Sequence, residues 1–300
     1  MTTATKKRSK TSTAQKAKWK EQAQAKTEQA LADLQTGIQA IHSSEEWTAM
    51  LNVASKFHQY SFKNLVLIHL QCHEATRVAG YKAWQELGRQ VRKGEKGIMI
   101  LAPCTIKVTE NNCGDRPQDI GSYRLVGFRT TTVFDISQTD GEDLPSVTTE
   151  LYGDDAGLYD RLKQFAISRD FELTVDPSKA GEGGYCQYKK DGSIRINVTE
   201  TNPLSNARVL AHELGHALLH PEAEYRGHGK ASMKELEADS VAYCVLQHFG
   251  LDSSESSFGY IAGWNRSSEK AIAQLQESGA RIMEATHTIV EWIESKSIQR

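Results

Sequence analysis

Three hundred residues at 33.4 kDa exceed one ordinary hydrophobic core and suit two. A composition of 39% hydrophobic and 25% charged residues with only 6 Pro excludes a disordered, collagen-like or low-complexity chain. The net charge of −2 conceals an asymmetry: residues 1–107 carry 17 Lys+Arg against 8 Asp+Glu, whereas residues 108–300 carry 19 against 30. Such a division favours a nucleic-acid-facing segment joined to one that does other work.

Residues 1–11 are Thr, Lys and Ser with almost no apolar content, which predicts a mobile basic arm. Lys6, Lys7, Arg8 and Lys10 are not followed by the apolar stretch of a secretory signal, and the five scattered cysteines suit a reducing cytoplasm. From Thr13 to Ile41 good helix formers dominate, with Leu31, Leu34, Ile38 and Ile41 spaced as an apolar stripe. Ser43-Ser44-Glu45-Glu46 opens a second helix whose apolar face is Trp47, Met50, Leu51, Ala54 and Phe57, and Phe62–Leu70 forms a third.

The pattern then turns to strands. Thr76–Gly80 reads as a short strand and Tyr81–Leu87 as a short helix stopped by Gly88. The glycine-punctuated turn Arg92–Gly97 leads into a strand over Ile98–Val108; Asn111–Ile120 is a loop, and Tyr123–Phe134 returns as the antiparallel partner. The polar stretch Ser137–Ser146 has the composition of an interdomain linker. Beyond it come a helix over Leu151–Ser168, strands at Phe171–Val175, Gly184–Tyr188 and Ser193–Val198, and helices over Leu204–His220, Met233–Phe249 and Ser268–Lys296. The longest purely apolar runs, such as Leu65–Ile68 and Ile98–Ala102, are far too short for a membrane helix, so no membrane partner is expected.

The chemistry-bearing motif is His212-Glu213-Leu214-Gly215-His216. Residues four apart stack on one helix face, so both imidazoles can reach one metal ion, while Glu213, about 100° around, can act on a water as general base. A catalytic zinc site takes three protein ligands. The following helix offers Glu235 as the third and, four residues on, Asp239 to accept the free N–H of a ligating histidine. Glu237, about 200° from Glu235, should point elsewhere. His220 reads as a helix-end histidine, and His228, Tyr185 and Tyr225 are candidates for oxyanion stabilisation among which spacing does not choose.

In the cationic half, aromatic and basic residues interleave: Lys63, Arg77, Tyr81, Lys82, Trp84, Arg89, Arg92, Lys93 and Lys96. Single-stranded nucleic acid is held by this combination, bases on aromatic faces and phosphates on Lys and Arg. Taken singly, Trp84 and Phe62 suit a core better than a stacking platform.

HELGH followed after eighteen residues by Glu-x-x-x-Asp resembles the gluzincin metallopeptidases, and ELEADSVAY resembles the corresponding helix of ImmA/IrrE-type proteases. The segments YSFKNLVLIHLQ, ATRVAGYKAWQELGRQVRKGEKGIMILAP and VFDISQTDGEDLP closely resemble the N-terminal domain of ArdC-type antirestriction proteins, and Ala262-Gly263-Trp264 before a long C-terminal helix also fits. The resemblance implies an α+β chain of two domains: a basic arm and helix start at residues 1–30, a single-stranded-DNA-binding domain at 31–143, and a zincin-like metallopeptidase domain at 148–300. It further implies Zn²⁺, or another divalent transition metal, held by His212, His216 and Glu235, and a peptide laid along an edge strand within Gly184–Val198. The role implied is protection of incoming mobile-element or phage DNA, with a restriction enzyme as protein substrate. The alternatives are a regulatory protease that cleaves a repressor and a DNA-coating protein whose metal site is structural.

Overall fold

The computed structural model describes residues 13–41, 43–109, 121–142, 144, 155, 157–176, 184–189, 191–199, 201–220, 228–251 and 269–297. The basic arm, the loop at Asn111–Ile120, the helix start at residues 151–154, Tyr225 and Ala262-Gly263-Trp264 lie outside them.

Helix α1 (Thr13–Ala40) turns Ala30, Leu34 and Ile38 inward, and Ile41 follows. Leu31, expected on that stripe, is exposed, because the smaller Ala30 occupies the buried position one residue earlier. A capping box starts α2 (Ser44–Lys56): the Glu46 N–H donates to Ser43 Oγ at 3.3 Å and the Ser43 N–H to Glu46 Oε2 at 2.9 Å. Helix α3 (Phe62–Gln71) buries Leu65, Val66, Leu67 and Ile68, so its polar residues serve the neighbouring sheet. The Asn64 amide donates to Leu101 O and accepts from the Leu101 N–H, each at 2.9 Å, satisfying strand groups that lack a strand partner there.

That sheet is antiparallel in the order β1 (Val78–Gly80), β4 (Tyr123–Asp135), β3 (Ile98–Lys107), and the short α4 (Tyr81–Glu86) follows β1. The beginning of the expected linker is instead ordered structure. After a 3-10 turn at Ile136–Gln138, β5 (Thr139–Gly141) pairs antiparallel with β2 (Arg89–Val91). The cause is Arg89, which is buried and donates to Thr139 Oγ1, Thr139 O, Gly141 O and Glu142 O. A Cβ at Gly141 would stand 2.5 Å from Gly88 O, and its φ of +144° is one that side chains rarely adopt, so glycine is required where these strands meet.

Past α5 (Leu158–Ser168), a second sheet has the order β6 (Glu172–Asp176), β8 (Ile194–Thr199), β7 (Gly184–Tyr188), with β6 parallel and β7 antiparallel to the central β8. Helices α6 (Pro203–Leu219), α7 (His228–His248) and α8 (Glu269–Ser297) complete the chain. Pro at the first position and the Asn202 side chain, which accepts from the Ser205 N–H, begin α6.

The architecture is α+β, and the two domains share one apolar cluster that runs from Ala30 through Leu214 to Ile293. Trp47, fully buried, donates from Nε1 to Ser240 Oγ of α7 at 3.0 Å, and Tyr243 of α7 donates to Asn52 Oδ1 at 2.7 Å. Burial of side chains of this size contributes roughly 1.5–3 kcal/mol each, so the junction between the domains is a stability element. Among the described residues no helix is long and apolar enough to cross a membrane.

Candidate metal centre

Two helices aim the site. Helix α6 is apolar toward the β6–β8 sheet and α5, which fixes its rotation; α7 crosses it at Gly215, where a Cβ would stand 3.0 Å from Ala238 Cα. This close approach brings Glu235 over the histidine pair. His212 Nε2 and His216 Nε2 are 3.0 Å apart, and Glu235 Oε2 lies 3.4 Å from the first and 3.5 Å from the second. Bonds of about 2.0–2.1 Å to a tetrahedral ion place neighbouring ligand atoms about 3.3–3.4 Å apart, so the three donors fit a zinc-like cation. The residues that spacing put together are together.

The rings are held from behind. His212 Nδ1–H donates to Asp239 Oδ1 at 2.8 Å, leaving the Nε2 lone pair for the ion. His216 has a longer support: its Nδ1 is 2.9 Å from His220 Nδ1, and His220 Nε2 is 2.8 Å from Glu237 Oε2. With Nε2 of His216 turned to the ion, the protons run His216 to His220 to Glu237, and Arg281 of α8 closes the chain on both Glu237 oxygens at 2.7 and 2.8 Å. His220 and Glu237 are fully buried. Glu237 does point away from His212, His216 and Glu235, but His220 is not merely a helix-end residue: it stands between Glu237 and the His216 ring and fixes that ring's orientation. The signal lay in the sequence, since His220 continues the i, i+4 series of His212 and His216.

The electrostatics favour a cation. Burial alone would lower His212, but the carboxylates of Asp239 and Glu235 outweigh it and push the imidazole up to about 10. Glu235 is held well below the usual carboxylate range by its contacts with His212 and His216. Glu213 is buried beside them, and burial pushes its carboxyl up against the opposing pull of both histidines, as suits a proton acceptor. Cys186 on β7 is driven up to about 12 by burial and by the nearby Glu213 carboxylate.

β7 is an edge strand beside α6, and Gly184 lies under the Glu213 carboxylate. A Cβ there would stand 2.7 Å from Asn197 O and 3.3 Å from Glu213 Oε1. Tyr188 of the same strand donates to His216 O at 2.6 Å, fastening β7 to the site. Tyr185 is exposed on β7; the His228 side chain, like Tyr225, is outside the described residues.

The cationic residues of the N-terminal domain divide sharply. Trp84 is fully buried with Nε1 donating to Phe134 O at 2.9 Å, so its ring has no free face for a base. Arg89 is consumed by the β2–β5 pairing, and Arg92 is paired with Glu95 and Asp140. Lys63, Arg77, Tyr81, Lys82, Lys93 and Lys96 are exposed. Tyr81, Gln90, Arg92, Lys93, Phe134 and Asp140 help line an open cleft of about 580 Å³. Exposed Tyr123 and Phe128, beside Arg124 and Arg129 on β4, are aromatic and cationic groups outside the residues singled out in the sequence.

Residues 20–134 match the model of the N-terminal domain of anti-restriction factor ArdC. Residues 171–247, which contain His212, His216 and Glu235, match the IrrE N-terminal-like domain, a peptidase family. The chain is 27% identical to an uncharacterized protein of Bacillus anthracis over 93% of its own length and 53% of the relative's, so it spans about half of that protein. It is 26% identical to an uncharacterized protein of Sinorhizobium fredii over 82% of itself and 83% of the relative. Crystal structures of the antirestriction ArdC protein from the R388 plasmid are similar at 19% identity for the metal-free form (TM-score 0.44, 79% of this chain and 85% of that one). The Mn(II)-bound form is similar at 20% identity (TM-score 0.45, 77% and 84%).

Proposed function

We propose the following for this chain, which has the two-domain architecture of ArdC-type antirestriction proteins: its N-terminal domain binds single-stranded DNA, and its second domain is a zinc-dependent peptidase that acts in protecting incoming DNA. The observation that carries the peptidase reading is the convergence of His212 Nε2, His216 Nε2 and Glu235 Oε2 within 3.5 Å, with the buried Glu213 carboxylate alongside.

A divalent transition ion bound by these three residues supplies Lewis acidity toward a peptide carbonyl and toward water. The chain's own groups do the rest. Glu213 accepts the proton of the attacking water on its carboxylate and returns it to the departing amine. Asp239 and the His220–Glu237 pair hold the imidazoles in the tautomer that turns Nε2 forward. β7 presents the backbone groups of its outer edge to an extended peptide, and Gly184 lets that peptide's strand neighbour lie close under Glu213.

Metal analysis tests the ligand set. Glu235→Gln is expected to reduce zinc bound at this site at least tenfold at a fixed free zinc concentration, while the far-ultraviolet circular dichroism stays unchanged. Unaltered zinc affinity would remove Glu235 from the site and with it the peptidase reading.

The DNA-binding reading has its own test. Lys82→Ala with Lys93→Ala should weaken single-strand affinity and flatten the plot of log affinity against log salt by about 0.7 per lost phosphate contact. Arg92→Ala should do less, because Glu95 and Asp140 already neutralise that guanidinium. An unchanged slope in the double variant would place the DNA elsewhere, with the Arg124–Arg129 stretch of β4 the next surface to examine.

A further inference from the structure

Two imidazoles and a carboxylate meet a second time, on other elements. His58 follows α2, His248 ends α7 and Glu294 lies near the end of α8. The Glu294 carboxylate spans the two rings: Oε1 is 3.0 Å from His248 Nε2, and Oε2 is 4.0 Å from His58 Nε2. All three donor atoms lie within 4.8 Å of one another. The rings of His58 and His248 meet edge to face with centroids 4.8 Å apart. His58 is buried and the other two residues are half-buried.

The rings are supported from behind, one by a backbone carbonyl and one by a second histidine. His248 Nδ1–H donates to Ser55 O at 2.9 Å, which turns the Nε2 lone pair toward Glu294. An imidazole whose two nitrogens both face oxygen acceptors requires a positive charge on it or beside it. His58 Nδ1 is 3.3 Å from His287 Nδ1, whose Nε2 is 3.2 Å from Glu291 Oε2. This His–His–Glu series repeats His216–His220–Glu237. A proton on His248 would answer Glu294 Oε1 alone; a cation between the three answers both carboxylate oxygens and the His58 Nε2 lone pair together. Mixed imidazole and carboxylate donors suit zinc, cobalt or nickel rather than calcium or magnesium.

We propose that His58, His248 and Glu294 form a second site for a divalent transition-metal ion, which clasps the connection between α2 and α3 to the ends of α7 and α8. The ion would add a coordinate link between the two domains beside the Trp47–Ser240 and Tyr243–Asn52 hydrogen bonds that already join α2 to α7.

The test counts zinc per chain by elemental analysis after dialysis at a low fixed free zinc concentration. Wild type should hold two equivalents, and His212→Ala with His216→Ala should hold one. In that double variant, adding zinc should raise the melting temperature. His248→Asn, which keeps a donor for Ser55 O but lacks Nε2, or Glu294→Gln should abolish both the remaining equivalent and the shift. The same two substitutions in the wild-type background should lower two equivalents to one, which covers failure of the double variant to fold. One equivalent in wild type and in His248→Asn, or a second equivalent indifferent to both changes, overturns the proposal: the cluster is then a proton-linked hydrogen-bond network.

Discussion

Glu213→Gln is expected to keep the metal and to slow peptide hydrolysis by about 10²–10⁴-fold, the range that a positioned general base contributes. The substitution preserves shape in a site where Gly184 and Val209 leave little spare room, so the fold and the positions of His212, His216 and Glu235 should be unaffected. What changes is basicity. A carboxylate whose proton affinity is raised by burial can take a proton and release it again; an amide cannot. Metal content by elemental analysis and cleavage of a degenerate peptide pool by mass spectrometry read the two effects separately. Equal turnover by both proteins would show that Glu213 is not the base. Protection of transferred DNA in cells is a third readout, because full protection by Glu213→Gln would detach the antirestriction role from hydrolysis and leave it to DNA binding.

The centre of this site was legible in the sequence because its geometry is local. His212 and His216 share a face by helical spacing, and Glu235 and Asp239 share another by the same rule; the structure only had to bring two helices together, which Gly215 allows. Of the His220–Glu237–Arg281 chain only His220 carried a local signal, as the next i, i+4 position after His216; Glu237 and Arg281 reach it only through the crossing of α6, α7 and α8. The N-terminal domain divides in the same way. Capping at Ser43 and the long β3–β4 pair follow from local pattern, whereas β2 and β5 are three residues each and too short to show a period. Their partnership depends on Arg89 reaching across 50 residues to Thr139. The same tertiary contacts bury Trp84, as its aromatic character suggests, and turn Arg89 from a candidate DNA ligand into core, a change that composition cannot reveal.

The two histidine supports should separate in their effects, because one lies near solvent and the other is buried. Asp239 is part-exposed, so Asp239→Ala should weaken zinc binding by about 10–100-fold through loss of the His212 orientation, with a melting temperature close to wild type. Glu237 is fully buried between His220 and Arg281, and Glu237→Ala removes the one acceptor both of them use there. Breaking a buried charged pair from one side costs about 3–5 kcal/mol; the lower end applies here because the Arg281 side chain still reaches solvent in part. The Glu237→Ala chain should therefore lose both stability and zinc affinity, the latter because an unanchored His220 no longer fixes the His216 ring. Adding His220→Ala to Glu237→Ala separates the two losses. If the stability cost is that of a stranded imidazole, the double variant recovers part of the melting temperature while its zinc affinity stays low. If the pair acts only in packing, the zinc affinities of the single and double variants should both equal that of wild type, and the relay has no part in holding the metal.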